Sequence, residues 1–174
     1  HQVRDMLVFA KGDLPLPDSV PLTALFEGLR TAAEAHVSGV SIRWQCDAQA
    51  GELRCNRDTL IGSVLNLVEN SLQAAGPQAL LKVHLYVRDG NVRLTVSDNG
   101  PGIAPDHLAR LTERFYRIDR SRSRETGGTG LGLAIVKHAL QRHGAQLHID
   151  SQLGQGSTFT VHFPARRVQG KLEE

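Results

Sequence analysis

The sequence predicts an α+β fold, a two-layer α/β sandwich in which a mixed sheet of about five strands is covered on one face by three helices. Two observations lead to this prediction. Segments with alternating apolar residues, typical of strands, come in pairs joined by turn residues, and segments with apolar residues at helical spacing lie between the pairs. With 174 residues and 40% apolar content, the chain is long enough for one compact domain.

The first half of the chain supplies two of the helices and a predicted hairpin. A helix is expected over residues 21–37, with Pro21 as its first residue. Alternation in residues 40–44, followed by a short extended stretch at 52–55, predicts a hairpin. Asn56 is a suitable N-cap for a long helix through residue 75, where Gly76 and a proline end it.

The second half is predicted to contain two hairpins and the remaining helices. The first hairpin turns at Asp89-Gly90-Asn91 and the second at residues 153–156, both good turn sequences. The Arg-rich segment 114–128 is expected to be a loop. The predicted strands cover residues 81–88, 92–97, 146–150 and 157–163, and the predicted helices cover residues 106–112 and 131–143.

Composition excludes several classes of protein. Lys and Arg number 20 against 18 Asp and Glu, which gives no broad basic surface, so nucleic acid is not an expected partner. No apolar run approaches the roughly 20 residues that span a bilayer, so no direct membrane insertion is expected of this chain. Two cysteines are too few for a disulfide framework. A reducing, cytoplasmic setting is expected, with a membrane anchor left open for a longer parent protein.

Four motifs follow one another in a fixed order along the chain. They are Asn66 to Asn70 in the long helix, Asp98-x-Gly100-x-Gly102 after a strand, Gly128-x-Gly130-x-Gly132 at a helix start, and Gly154-x-Gly156 in the last turn. Taken alone, each has a structural explanation: solvated helix positions, an ordinary Asp-Asn-Gly turn, a tight helix entry, or a hairpin turn. Their order is more informative than any one of them.

The residue types in these motifs suit a phosphate ligand with a metal ion. Asn66 and Asn70 lie one turn apart on one helical face, where two amide oxygens can reach one Mg²⁺ and its phosphates. Glycines at a helix N-terminus offer free N–H groups and the positive end of the helix dipole to phosphate. The chain lacks a Walker Lys-Ser/Thr pair and a βαβ unit, so neither a P-loop nor a dinucleotide fingerprint is present.

Together the motifs resemble those of the histidine kinase, gyrase, Hsp90 and MutL family of ATPases, whose architecture is the Bergerat fold. The resemblance spans about Leu22 to Pro164. It implies ATP and Mg²⁺ as cofactors, with Asp98 accepting a hydrogen bond from the adenine amino group and Thr158 closing the adenine pocket beside Asp98. Guanine presents a carbonyl at that position and would leave a buried carboxylate unpaired.

Residues 113–119 (ERFYRID) resemble the F-box that separates sensor histidine kinases from the gyrase, Hsp90 and MutL relatives. The run of Arg120, Arg122 and Arg124 that follows it would form a lid over the nucleotide, where an arginine can neutralise phosphate charge. No catalytic residue is assigned, and Asn66 and Asn70 are the expected metal ligands. The ATP-binding residues that the motifs and the resemblance imply are Asn66, Glu69, Asn70, Gln73, Asp98, Gly100, Gly102, Ile103, Phe115, Tyr116, Arg117, Arg120, Gly128, Thr129, Gly130, Leu131, Gly132, Leu133 and Thr158.

The resemblance also divides the chain and names its partners. Residues 1–11 resemble the end of a dimerisation and phosphoacceptor helix, residues 12–164 correspond to the ATP-binding catalytic domain, and residues 165–174 form a C-terminal tail. We expect an excised, monomeric fragment. Its partners would be the dimerisation and phosphoacceptor helical domain of the same sensor kinase and a downstream response regulator.

The resemblance implies transfer of the ATP γ-phosphoryl group to a histidine on that separate domain. No histidine in the chain stands in the family's acceptor context, and His138 and His143 are expected to be surface residues of one helix. Nucleotide binding without efficient self-phosphorylation is therefore expected. Three alternatives stay open: an ATP-driven clamp of the same family, an anti-sigma-type serine kinase, and a regulatory module without turnover.

Two features depart from a single subfamily. Gln73 and Ala74 stand where many sensor kinases have a lysine and an aromatic residue, as in nitrogen-regulator-like sensors. The F-box and the segment after it are more similar to phosphate-regulon-type sensors. A natural mosaic and an engineered chimera both explain this mixture.

Overall fold

The computed structural model describes residues 16–36, 41–48, 51–76, 78–102, 132–164 and 168–169. The predictions for residues 1–11, 106–112 and 114–128 lie outside these ranges. The helices that the structure describes are α1 (Leu22–His36), α2 (Arg57–Ala75) and α3 (Gly132–Arg142). The strands that it describes are β1 (Asp18–Pro21), β2 (Ser41–Cys46), β3 (Glu52–Cys55), β4 (Leu80–Arg88), β5 (Asn91–Asp98), β6 (Gln146–Gln152), β7 (Gly156–Phe163) and β8 (Val168–Gln169).

The main sheet has five strands in the order β2-β4-β5-β7-β6. Strands β2 and β4 are parallel and the other neighbours are antiparallel, so the sheet is mixed, as predicted. The inward side chains of β4, β5 and β7 are buried in one core with the apolar faces of the helices. The predicted two-layer α+β sandwich is confirmed. None of the helices described is long and apolar enough to cross a bilayer.

The predicted hairpin over residues 40–55 is wrong. Strand β2 pairs in parallel with β4, while β3 pairs with β1 and β8 in a second, three-stranded sheet. Alternation indicates that a segment is a strand but does not select its partner.

The prediction that Pro21 begins the first helix is also wrong. Pro21 is the last residue of β1, where it lies opposite Glu52, and α1 begins after it. A proline lacks the N–H that an inner strand needs, so the end of a strand accommodates it.

Helix α2 begins and ends where its capping residues predict. The Asn56 side chain accepts a hydrogen bond from the Thr59 backbone N–H at 3.2 Å. Gly76, with a φ of 81°, donates its N–H to the Leu72 carbonyl oxygen at 3.0 Å. The β4–β5 hairpin is also locally encoded, because Asp89 (φ 54°) and Gly90 (φ 78°) both take the left-handed conformation that a type I′ turn requires.

The face of the sheet away from the helices is polar. There the His84 ring stacks on Tyr86 with centroids 4.6 Å apart, and its Nε2 lies 2.6 Å from an Asp47 carboxylate oxygen. Hydrogen bonds from His84 and Gln45 lower the pKa of the Asp47 carboxyl below its ordinary value. Among the residues that the structure describes, these outward side chains form no second apolar core, and the described helices pack on the other face.

His143 links the end of α3 to the start of α2. It is 1% exposed, so the prediction that it is a surface residue is wrong. Its Nε2 accepts a hydrogen bond from the Asn56 N–H at 3.0 Å, and its Nδ1 lies 2.8 Å from the Ala139 carbonyl oxygen. Because a carbonyl oxygen only accepts, Nδ1 carries the proton and the ring is neutral. His138 is partly buried and contacts Arg142.

A His143→Ala variant tests this link. It removes the acceptor of the Asn56 N–H and leaves a cavity, so we expect the free energy of unfolding to fall by about 2–4 kcal/mol. Urea unfolding followed by circular dichroism measures this change. His148→Ala, on an exposed position of β6, is the control and should cost less than about 0.5 kcal/mol. Equal losses in the two variants would show that the link contributes nothing.

Candidate nucleotide-binding site

Two of the four predicted motifs meet at one edge of the main sheet. Asp98 is the last residue of β5, and the loop after it runs to Gly102. The turn between β6 and β7, which contains Gly154, packs against this loop: the Gly154 N–H donates to the Pro101 carbonyl oxygen at 2.7 Å. The C-terminal end of α2 reaches the same edge.

The carboxylate of Asp98 is held by two backbone N–H groups from different segments. Its Oδ1 accepts hydrogen bonds from Gly100 at 2.8 Å and from Ser157 at 3.3 Å. Within the described part of the chain, no hydrogen bond reaches its other oxygen, Oδ2. The carboxylate is thus fixed in orientation, partly buried, and has one oxygen available to accept a hydrogen bond from a ligand.

Glycines allow this close packing around Asp98. Gly156 has a φ of 112°, and a Cβ added there would overlap the Asp98 carbonyl oxygen. Gly102 has a φ of 80°, and a Cβ there would overlap the Gln152 carbonyl oxygen. Both positions need a residue that tolerates a positive φ and has no side chain. The fold therefore requires glycine at both of these predicted positions, Gly102 and Gly156, for steric reasons.

Helix α2 joins this edge through its last residue. A Cβ added at Gly100 would lie 3.0 Å from the Ala75 Cα and 3.0 Å from Asp98 Oδ1. Asn70 and Asn66 precede Ala75 by about 7.5 and 13.5 Å along the helix axis, at 1.5 Å per residue. The two asparagines therefore lie progressively farther along α2 from the residue that abuts Gly100.

The other described residues of the predicted site lie on α2 and α3. Asn66, Glu69 and Gln73 are exposed on α2, and Asn70 is partly buried. Helix α3 begins at Gly132 and packs against α2, and Leu133 in its first turn packs partly buried against the core. The predicted contacts that lie outside the described residues are Ile103, Phe115, Tyr116, Arg117, Arg120, Gly128, Thr129, Gly130 and Leu131.

The prediction that Thr158 lies beside Asp98 needs correction. The Thr158 hydroxyl is 3.1 Å from the Ser97 hydroxyl, and Ser97 points to the sheet face opposite to Asp98 because side chains alternate along β5. The neighbour of Asp98 is Ser157, which is 7% exposed and donates its N–H to the carboxylate. Counting back two residues from the core position Phe159 would have placed Ser157 on the inner face.

Comparisons with known proteins show the family of the chain. The family model "Histidine kinase-, DNA gyrase B-, and HSP90-like ATPase" matches residues 55–167. The sensor protein kinase FleS of Pseudomonas aeruginosa is 57% identical over 164 residues, which are 94% of this chain and 39% of FleS. The phosphate regulon sensor protein PhoR of the same organism is 42% identical over 171 residues, 95% of this chain and 39% of PhoR.

Solved structures show the same fold. Full-length ShkA in complex with AMPPNP superposes with a TM-score of 0.74 at 30% identity, over 93% of this chain and 35% of ShkA. The mycobacterial sensor histidine kinase MprB superposes with a TM-score of 0.70 at 26% identity, over 84% of this chain and 96% of that one.

The chain belongs to the histidine kinase, DNA gyrase B and HSP90-like ATPase family, and it corresponds to the ATP-binding catalytic module of sensor histidine kinases. It spans about two fifths of the length of the curated relatives, 39% of both FleS and PhoR.

Substitution of two glycines in the same turn separates steric overlap from backbone strain. Gly156→Ala places a Cβ on the Asp98 carbonyl oxygen, and we expect it to lower the free energy of unfolding by about 3 kcal/mol or more. Gly154→Ala also requires a positive φ, but no atom lies within 4 Å of its Cβ, so it should cost about 1 kcal/mol. Denaturant unfolding of both variants measures the difference. Equal costs would contradict the packing described around Asp98.

Proposed function

We propose that this chain binds ATP with Mg²⁺ and presents the γ-phosphate to a histidine on the helical phosphoacceptor domain of its parent sensor kinase. In that reaction a histidine ring nitrogen forms a bond to the γ-phosphorus, and the bond from phosphorus to the departing ADP oxygen breaks. A response regulator then takes the phosphoryl group. The single observation that carries the proposal is the Asp98 carboxylate, fixed through one oxygen and open at the other.

Asp98 would select adenine. Its Oδ2 accepts a hydrogen bond from the exocyclic amino group, while Gly100 and Ser157 keep the carboxylate in place through Oδ1. Guanine has a carbonyl oxygen in that position, and two facing acceptors would leave a buried charge without a partner. A site that is built before the ligand arrives also loses little conformational entropy on binding.

Helices α2 and α3 would hold the phosphates. The amide oxygens of Asn66 and Asn70 are suitable ligands for Mg²⁺, which binds carboxylate, amide and phosphate oxygens. The N-terminus of α3, at Gly132, provides backbone N–H groups and the positive end of a helix dipole. Gln73 provides no positive charge where many sensor kinases have a lysine, so charge neutralisation would fall to the metal ion, the helix terminus and the predicted contacts Arg117 and Arg120.

Two comparisons support the proposal. Full-length ShkA, whose structure is in complex with AMPPNP, matches 93% of this chain. FleS, a sensor protein kinase, matches 94% of this chain. The acceptor histidine and the regulator would belong to parts of the signalling system beyond this module, and the cytoplasm, where ATP is present, is the expected compartment.

Calorimetric titration with AMPPNP, with and without Mg²⁺, tests nucleotide binding. Asp98→Asn replaces the accepting carboxylate, and loss of a charged hydrogen bond should weaken binding on the order of a hundredfold. Asp150→Asn, on an exposed position of β6, is the matched control and should bind as the unaltered chain does. If the unaltered chain does not bind AMPPNP, a regulatory module without nucleotide becomes the better explanation.

Phosphoryl transfer is tested by mixing the chain, ATP and Mg²⁺ with an isolated phosphoacceptor domain, for which that of FleS is the natural choice. The expected product is acid-labile, alkali-stable phosphate on the acceptor domain and none on the chain alone. Acid-stable phosphate on a serine would instead indicate the anti-sigma-type kinase.

A further inference from the structure

The outer face of the main sheet, the one away from the helices, carries a pair of nitrogens without hydrogen-bond partners. Arg93 on β5 lies directly opposite His162 on β7. Arg93 Nε and His162 Nε2 are buried, and neither has a hydrogen-bond partner within the described part of the chain. A buried polar nitrogen without a partner costs free energy, and such groups in native proteins are found at strained, catalytic or ion-binding positions.

The other nitrogens of the same two side chains are reachable from solvent. Both residues are partly exposed. Burial without a partner affects only one nitrogen of each, and no ion pair among the described residues includes either of them. The terminal nitrogens of the Arg93 guanidinium and the Nδ1 of His162 are therefore open to a group that approaches from the outer face.

The charges around this pair are positive. Burial, the Arg93 guanidinium and His148 on the neighbouring strand β6 together lower the pKa of His162 below its ordinary value. A nearby carboxylate would act in the opposite direction, and no carboxylate of the described residues contributes to this shift. The described part of the fold thus gives the pair a positive potential and no counter-charge.

Two threonines lie beside the pair on the same face. Thr95 follows Arg93 by two positions on β5, Thr160 precedes His162 by two positions on β7, and the two threonines are opposite each other. Side chains two apart on a strand are about 7 Å apart, and directly opposite ones about 5 Å. The four side chains therefore outline a space for one small anion, with two short hydroxyl groups along one side.

We propose that the outer face of the main sheet binds a phosphate-type oxyanion at four residues: Arg93, Thr95, Thr160 and His162. The guanidinium donates to two oxygens through its planar fork, and the hydroxyls and the imidazole each donate one further hydrogen bond. A tetrahedral ion accepts from all of these directions, whereas a carboxylate has only two oxygens. Arg93 precedes Asp98 by five residues on β5, about 17 Å along the strand, so this site is separate from the nucleotide site and does not depend on the proposed function.

Sulfate is the first probe, because it stays a dianion at every pH used. Its addition at constant ionic strength should shift the imidazole proton resonances of His162 and His148 saturably in nuclear magnetic resonance spectra. Arg93→Gln removes the charge and the fork, so it should weaken sulfate binding about tenfold or more. Arg43→Gln makes the same change at an exposed position of β2 on the same face, and it should bind sulfate as the unaltered chain does.

The pH dependence tests the role of His162. An anion beside His162 offsets the repulsion that lowers its pKa, so binding should raise this pKa and take up a proton. Sulfate should therefore bind about fivefold more tightly at about pH 5.5 than at about pH 7.5, and in His162→Gln this ratio should fall below about twofold. The other titratable or charged groups on this face are Arg43, Asp47, Lys82, His84, Tyr86, Arg88, His148 and Asp150.

Inorganic phosphate and the amino acid phosphoserine distinguish two sources of the ion. Tighter binding of phosphate identifies a free ion as the ligand. Tighter binding of phosphoserine identifies a phosphorylated molecule, whose ester oxygen points from the open face to solvent. Either result supports the site.

The inference is overturned if none of the three anions shifts the His162 resonances saturably. It is also overturned if Arg43→Gln weakens sulfate binding as much as Arg93→Gln does, since the effect would then be one of overall charge. Thr160→Val retains the shape and strand preference of threonine but removes a donor, and should weaken binding about threefold. Unchanged affinity in both Arg93→Gln and Thr160→Val, with unchanged melting temperatures, would likewise exclude the site.

Discussion

The hydrogen bonds from Gly100 and Ser157 to a single oxygen of Asp98 are the interaction on which the site depends. The two donors come from separate segments, the loop after β5 and the start of β7. A carboxylate held through one oxygen keeps its other oxygen as an oriented acceptor, at no further cost in conformational entropy when a ligand arrives. The glycines around it follow from this arrangement, because a Cβ at Gly156 or Gly102 would meet backbone oxygen atoms.

Helix α2 is fixed at both of its ends, and this holds the proposed phosphate-binding residues relative to the proposed base site. At its start, the buried His143 accepts the Asn56 N–H, so the end of α3 is tied to the N-cap of α2. At its end, Ala75 abuts Gly100. The two asparagines between these points cannot shift along the helix axis relative to Asp98 without breaking one of the two contacts. The spacing between the proposed base site and the proposed phosphate site is therefore set by the core of the domain.

Local chemistry accounts for what could be predicted from the sequence, and non-local pairing for what could not. Neighbouring residues encode the Asn56 cap and the turn at Asp89 and Gly90. The order of the motifs can be read directly from the sequence. The partner of β2 is not, because alternation is the same for a strand that pairs with β3 or with β4. The layered architecture survives this error, since it depends only on which segments are strands and which are helices. The mixed character of the sheet comes from the parallel β2–β4 pair.

Two further errors concern the direction in which a side chain faces. His143 was expected to be a surface residue, yet it is 1% exposed. Thr158 and Ser157 differ only by one step along β7, and a single step reverses the face of the sheet to which a side chain points.

The most direct test of the account is a crystal structure of this chain with ADP and Mg²⁺. We expect the adenine amino group within hydrogen-bond distance of Asp98 Oδ2, while the Gly100 and Ser157 N–H groups keep their contacts with Oδ1 as they are without ligand. Adenine bound away from the end of β5, or an Asp98 carboxylate that must give up both backbone contacts to reach the base, would contradict the claim that the site is built before the nucleotide arrives.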